Sequence, residues 1–256
     1  MRALLPLSPA VDLHAWYARD WLDRGGLRVN FVSSADGAVT ADGVSAGLQT
    51  PGDNLIFAAL RDLADVLLVG AGTVRTEGYE AVRLGDRRTA MRLEYGLNPQ
   101  LPTAVVSRSL RLDPAAALFT EAPPDARTIV LTCAAADAAI RAALERVADV
   151  VVCGDEDVDL PAARGELTGR GLTRILSEGG PTLFGDLART GVVDEVCLSL
   201  SPLLAGPGAR RIVAGELWTG GPRDLDLVGL LEEDGALFLR YRVRSQSHDR
   251  SSDPVA

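Results

Sequence analysis

Two stretches of this chain share one build, and together they limit the fold more than any other feature. In one, Ile175-Leu176-Ser177 runs into Glu178, then Gly179-Gly180, then Pro181-Thr182-Leu183. In the other, Val66-Leu67-Leu68-Val69 runs into Gly70-Ala71-Gly72-Thr73, then Val74-Arg75-Thr76-Glu77. Each reads as an apolar strand that turns on glycine. Glycine lets a backbone turn sharply and approach a ligand closely. Pro181 suits a first helical position, where its missing N–H would be unpaired anyway. The free N–H groups of such a helix start attract phosphate. The second turn is not a dinucleotide fingerprint, because Arg75 stands where a third glycine would be. Two glycine turns at strand ends, each with an acid, predict a ligand cleft at one edge of an α/β sheet.

The rest of the chain fits that frame. Strands are expected at residues 27–33, 66–70, 103–107, 128–132, 149–153 and 174–177, with helices at 51–63, 134–147 and 182–190. Strands alternating with helices imply a mostly parallel sheet. Residues 194–201 and 226–232 also read as strands. Residues 236–243 pair with the latter across Asp234-Gly235, a hairpin signal that adds an antiparallel edge. Leu13, Trp16, Tyr17 and Trp21 lie near helical spacing and predict one amphipathic helix over 11–23, a packing face rather than a site. Residues 79–100 read as a surface excursion. We expect one domain over 1–244, with 1–26 as a helical extension and a polar, disordered tail over 245–256.

Composition excludes several functions. Net charge is −9, from 35 acids against 26 bases, which argues against a nucleic-acid binder. It leaves room for a phosphorylated small ligand, since glycine turns and single arginines can hold phosphate in an acidic protein. Cys133, Cys153 and Cys197 form no Cys-x-x-Cys, and His14 and His248 are the only histidines. No metal site is expected, and the cysteines read as small buried hydrophobes in a reducing compartment. No apolar run approaches a membrane span, and no signal peptide is evident, so the expected location is the cytoplasm.

Four segments together resemble the reductase domain of riboflavin biosynthesis, a family with the dihydrofolate reductase-like fold. They are Ser34-Ala35-Asp36-Gly37 after the opening strand, the turn from Gly70 to Glu77, Glu178-Gly179-Gly180-Pro181-Thr182-Leu183, and Val193-Asp194-Glu195 leading to Ser201-Pro202 and Gly206. All four occur in the family's order, over a match from about Leu27 to Val243. The fold so implied is α/β: a mostly parallel central sheet flanked by helices, with a C-terminal antiparallel hairpin. The resemblance implies an NADPH-dependent oxidoreductase that reduces the ribosyl group of a ribosylaminopyrimidine 5′-phosphate to ribityl. In the family, hydride reaches the first ribose carbon of an opened, imine-like sugar. Thr73 and the turn from Gly179 to Asp186 would contact the cofactor, Glu178 would lie at the substrate, and Glu77 near the reacting centre. Asp36 would sit beside the nicotinamide region. A homodimer is implied as well, for which residues 196–200 and 203–207 offer apolar surface or core.

The chemistry adds detail. Reducing an imine needs a protonated group near nitrogen and a fixed approach of nicotinamide to carbon. A buried carboxyl could hold that proton. Glu77 is the first candidate and Glu178 the second. Asp36 also reads as a residue that bonds its own turn. The cofactor candidates are Gly70, Gly72, Thr73, Gly179, Gly180, Pro181, Thr182 and Leu183, with Ser107 and Arg108 for the 2′-phosphate of NADPH. Arg75, Arg83, Arg87 and Arg88 favour a phosphorylated substrate. Two departures from the family stand out. The zinc-deaminase motifs of its fused members are missing, and the loop where members carry Trp reads Ala46-Gly47-Leu48-Gln49-Thr50-Pro51. Two other readings therefore stay open. One is a dihydrofolate reductase-type or other small-heterocycle reductase. The other is a nucleotide-binding protein without catalysis.

Overall fold

A computed structural model describes residues 1–244 except 9, 42, 219 and 220. The tail expected over 245–256 lies outside the described residues. Among these, the strands in chain order are β1 (Arg2–Leu5), β2 (Leu7–Ser8), β3 (Gly26–Ser34), β4 (Val66–Gly70), β5 (Thr103–Val106), β6 (Ile129–Thr132), β7 (Asp149–Val152), β8 (Arg174–Gly179), β9 (Glu195–Ser201), β10 (Leu225–Glu233) and β11 (Ala236–Val243). The helices are α1 (Leu13–Ala18), α2 (Trp21–Arg24), α3 (Pro51–Asp62), α4 (Ala71–Glu77), α5 (Asp86–Glu94), α6 (Ala117–Thr120), α7 (Ala138–Glu145), α8 (Leu160–Gly169) and α9 (Pro181–Arg189).

All strands join one sheet in the order β2-β1-β10-β11-β9-β3-β8-β4-β5-β6-β7. From β9 to β7 every pairing is parallel; β11 turns the sheet antiparallel by pairing with β9. The hairpin forms where Asp234-Gly235 predicts it. Glu233 faces Ala236, and both turn residues have positive φ, 51° and 80°. This is the α/β architecture expected from the sequence.

Alternation along the strands explains the layers. Val66 and Leu68 face a core with Leu183, Phe184 and Leu187 of α9 and Leu160, Ala163 and Leu167 of α8. Leu67 faces the other side, against Ile56 and Leu60 of α3, Leu63 just after it, and the N-terminal Trp16, Tyr17 and Trp21. Val69 joins a third cluster with Val105, Val130 and Leu144. Each Val, Leu, Ile or Phe side chain among these contributes about 1.5–3 kcal/mol when fully buried.

Three expectations change. The helix over 11–23 is two short helices, broken where Asp20 turns left-handed at φ 61°. The segment before it is no helical extension at its start, because β1 pairs with β10 at the sheet edge. The excursion over 79–100 contains α5. Its Arg92 is fully buried and donates to the carbonyls of Arg61, Asp62, Ala64, Asn98 and Gln100. One guanidinium thus latches a charged helix that has little apolar face. The three cysteines are buried and free, as small hydrophobes would be. No helix of the described residues is long and apolar enough to cross a membrane.

Candidate active site

A cleft of about 840 Å³ opens at the C-terminal ends of β3, β8 and β4. Its walls come from β3 and the loop after it, α3, α4, the segment after α4, the start of α9, and residues 208–210. The two glycine turns meet at this edge. The Gly180 N–H donates to Thr73 Oγ1 at 2.9 Å, tying the start of α9 to α4. A Cβ on Gly180 would lie 2.6 Å from that oxygen, so the clasp itself requires glycine here. Gly179 has φ 104°, and a Cβ on it would meet the Phe31 ring at 3.0 Å. That ring stacks on Phe184 with centroids 5.1 Å apart, so β8 leaves the sheet over an aromatic pair.

Glu178 is the best-held acid of the cleft. Its side chain is 2 % exposed and accepts a forked pair of bonds from Arg61, at 2.6 and 2.7 Å. The Tyr79 hydroxyl adds a third at 2.9 Å. Burial and the neighbouring carboxylate push the Tyr79 phenol well up, so it stays a donor. This is the bonding of an ionised carboxylate, not of a proton donor. Glu178 therefore fits a binding role better than the acid role considered for it.

Glu77 lines the same cleft but is exposed, as the last residue of α4. Glu77 is therefore not the buried carboxyl that the sequence reading called for. Asp36 does not line the cleft. It accepts from the Ser34 hydroxyl and from the backbone N–H groups of Ala205 and Gly206, at 3.1 and 2.8 Å. These bonds, the Ser34 one first, hold its carboxyl below the usual range. Asp36 thus fastens the loop after β3 to the strap between β9 and β10. The Val39 N–H bonds Arg210 further along the same seam. Its contribution to the site is the shape of one wall.

The other predicted residues divide. Thr73, Gly180 and Pro181 line the cleft, and Gly72 faces open space, with nothing within 4 Å of an added Cβ. Gly70 caps α4, and a Cβ on it would make an ordinary contact with Leu183 at 3.6 Å. Leu183 belongs to the core, while Thr182 is exposed. Ser107 is buried past the end of β5. Arg108 is exposed, 3.8 Å from Asp157, and outside the cleft wall. Among the arginines, Arg83 and Arg88 line the cleft, and Arg75 and Arg87 do not. Arg88 donates through Nε to Asp62 at 2.6 Å, and its buried Nη2 has no partner.

Among the cleft residues that sequence reasoning missed, such as Phe57, Arg61 and Tyr79, Asn30 of β3 and Asp53 of α3 stand apart. Both are more than nine-tenths buried, and each has an Oδ1 without a hydrogen-bond partner. Burial, only partly offset by a hydrogen bond from Ser199, pushes the Asp53 carboxyl above its ordinary range. Asp53 sits in the first turn of α3, where an acid usually serves the helix dipole, so nothing in the local sequence marks it.

Comparison with known proteins agrees with this architecture. The RibD C-terminal domain family matches residues 26–232. A 2,5-diamino-6-ribosylamino-4(3H)-pyrimidinone 5′-phosphate reductase of Archaeoglobus fulgidus is 28 % identical over 179 residues, 70 % of this chain and 80 % of the relative. A reductase of the same name from Methanothermobacter thermautotrophicus is 28 % identical over 189 residues, covering 73 % and 83 %. The crystal structure of a pyrimidine reductase-like protein from Corynebacterium diphtheriae superposes with a TM-score of 0.80 at 26 % identity, over 93 % of this chain and 96 % of that one. With an α/β scaffold, paired glycine turns and a carboxylate-lined cleft at the strand ends, the chain belongs to the RibD C-terminal domain family, the riboflavin-type pyrimidine reductases, and is an oxidoreductase.

Proposed function

We propose that this protein reduces the ribosyl group of a ribosylaminopyrimidine 5′-phosphate to ribityl with NADPH, in the cytoplasm and as a homodimer. The observation that carries the reading is the layout of the cleft. A clasp of two glycine turns closes one end, and the unpartnered Nη2 of Arg88 lies in the wall with Arg83 and Arg210. The first suits a dinucleotide and the second a sugar phosphate.

The residues present fit a nicotinamide cofactor. Open space over Gly72, and the cleft-facing Thr73, Gly180 and Pro181, leave a wall that a backbone-hugging ligand can approach. Ser107 and Arg108 at the end of β5 would meet a 2′-phosphate, with Asp157 as the competing partner of Arg108. NADPH supplies a hydride for an electrophilic carbon. The protein's part is to position and to exclude water. Glu178, fixed by Arg61 and Tyr79, presents a rigid acceptor for sugar hydroxyls. Asp36 and Val39 hold the strap whose residues 208–210 close the far wall. The exposed Leu204 (78 %) in that strap provides apolar surface for a second copy.

Calorimetric titration with NADPH and NADH, followed by turnover with the ribosylaminopyrimidine phosphate and with dihydrofolate, tests the reading. We expect preferential binding of NADPH and turnover of the first substrate only. Turnover of dihydrofolate alone would move the protein to the heterocycle-reductase reading. Tight NADPH binding with no turnover of either would leave a binding protein.

A further inference from the structure

Two arginines of α5 meet the end of α3, and they meet it differently. Arg92 gives its donors to backbone carbonyls, those of Arg61, Asp62 and Ala64 among them. Arg88 instead donates through Nε to the Asp62 carboxylate at 2.6 Å. Asp62 is the last residue of α3, and its side chain is 4 % exposed. Its other oxygen lies 3.1 Å from Nε2 of His14, on α1. A carboxylate only accepts, so Nε2 carries the hydrogen of that bond, and Nδ1 is left to take up or lose a proton. One buried anion is thus shared between an arginine, which is always charged, and a histidine, the side-chain type that changes charge in the physiological range.

Arg88 is the member of this chain that reaches the cleft. It lines the wall with Arg83 and Arg210, and its Nη2 is buried without a hydrogen-bond partner. Buried donors without partners are rare, and an anion is one way to satisfy a guanidinium. The other ionisable groups around the junction are engaged elsewhere or face solvent. Asp12 caps α1 through the Ala15 N–H, Asp65 is gripped by Arg174, and Arg61 holds Glu178. Asp86, Arg87 and Glu94 of α5 are exposed, and the Tyr95 phenol, pushed up first by burial, stays neutral.

We propose that His14 is a positioning residue for the phosphate end of the cleft: through Asp62 it sets how much of the Arg88 charge is free to meet an anion. The reductase reading above enters only in naming that anion as a sugar phosphate. With His14 neutral, the Asp62 carboxylate is answered by Arg88 alone, and the pair is close to neutral. With His14 protonated, the same carboxylate is divided between two cations. The cluster then carries a net positive charge, and in a partly buried setting, where charges are less screened, Arg88 attracts an anion more strongly. Anion binding and protonation of His14 are therefore linked, each favouring the other. His14 itself stands outside the cleft wall and acts across α1, α3 and α5.

The experiment uses the whole chain and inorganic sulfate, whose charge stays constant between about pH 5.5 and about pH 8.5, on either side of the histidine range. Binding is read by calorimetry. The unsubstituted protein is expected to bind sulfate about fivefold more tightly at the lower pH, the low end for linked sites. His14→Gln keeps a donor near the place of Nε2 but cannot take up charge. It is expected to show the weaker affinity at both pH values, with a folded circular-dichroism spectrum. Should His14→Gln not fold, His14→Asn takes its place with the same expectation. Arg88→Gln is expected to lose the pH dependence too, because the linkage passes through that guanidinium. Equal affinity of the unsubstituted protein at the two pH values, no detectable sulfate binding, or a pH dependence that survives either substitution would overturn the proposal. The readout involves neither NADPH nor turnover. A protein that keeps the pH dependence yet fails to reduce the ribosylaminopyrimidine phosphate would lose the reductase reading and keep this one.

Discussion

Two buried carboxylates of this molecule meet arginine, and they do so to different ends. Glu195, at the start of β9, is fully buried. Arg28 Nε lies 2.6 Å from it, Arg240 grips it with Nε and Nη2 at 2.9 and 3.0 Å, and Arg24 reaches it at 3.3 Å. Arg28 also stacks on Trp21, 4.0 Å from the ring centroid. Among the described residues, none of Glu195, Arg24, Arg28 and Arg240 lines the cleft that holds Glu178. Glu178, two strands away across β3, has one arginine and one tyrosine and faces the cavity. A charge enclosed by arginines away from the cleft belongs to the scaffold, whereas Glu178, with its side chain only 2 % exposed, is a charge fixed by its partners in the cavity wall. Asp53 carries the contrast further, with one oxygen wholly unmet.

The contrast can be broken most directly at Glu195. Glu195→Gln removes the anion and leaves Arg28 and Arg240 buried without it, an expected loss of about 3–5 kcal/mol in chemical denaturation. Burial pushes the Glu195 carboxyl up, but Arg28 and Arg240 outweigh it and hold it below its ordinary value. A carboxyl depressed in the folded state stabilises above its unfolded pKa, and that contribution is lost as pH falls through the folded one. The unsubstituted protein should therefore lose stability as pH falls below about 4, and Glu195→Gln should lack this component.

The next effect is at the clasp. Gly180→Val forces a side chain onto Thr73 Oγ1 and should cost about 1–3 kcal/mol, together with NADPH affinity. Gly72→Ala is the matched control. It lies inside α4 with open space around it and should gain about 0.5–1 kcal/mol of stability. If the cofactor rests on that turn, the same substitution should still weaken NADPH binding in calorimetry.

Asp53→Asn should act in the opposite sense to Glu195→Gln. A carboxyl whose pKa is raised by burial destabilises the fold once it must ionise. The variant should thus be more stable than its parent at neutral pH, and the gain should vanish as pH falls below the unfolded value near 4, where both states are protonated. Equal stability at all pH values would make Asp53 an ordinary helix-start acid. The smallest effect is expected at Glu77. Exposed at the end of α4, Glu77→Gln should change stability by less than about 0.5 kcal/mol and lower turnover less than Glu178→Gln does.

What the sequence discloses follows how local each cause is. The glycine turns, the Asp-Gly hairpin and the buried strands are written in neighbouring residues, so they could be read in order along the chain. Glu178 could be placed at the cleft for the same reason, but its grip by Arg61 and Tyr79, 117 and 99 residues away, could not. Helix α5 escaped notice because its anchor is Arg92, a charged residue that caps distant carbonyls instead of covering an apolar face. Helix α8 carries Pro161 and Gly165 and reads poorly as a helix. Asn30 and Asp53 look like an outward strand position and a helix-start acid. Only the convergence of β3 and α3 gives them a common cavity.

The bond between Thr73 and Gly180 has one more consequence. It joins the turns that leave two neighbouring strands, β4 and β8, so a change of ligand fit at one turn must be accommodated at the other. A bulkier residue at 180 is tolerable only if 73 gives up its hydroxyl, and a smaller residue at 73 frees 180 from the need for glycine. Over the history of such a protein, the two positions would be inherited as a single character rather than as two independent ones.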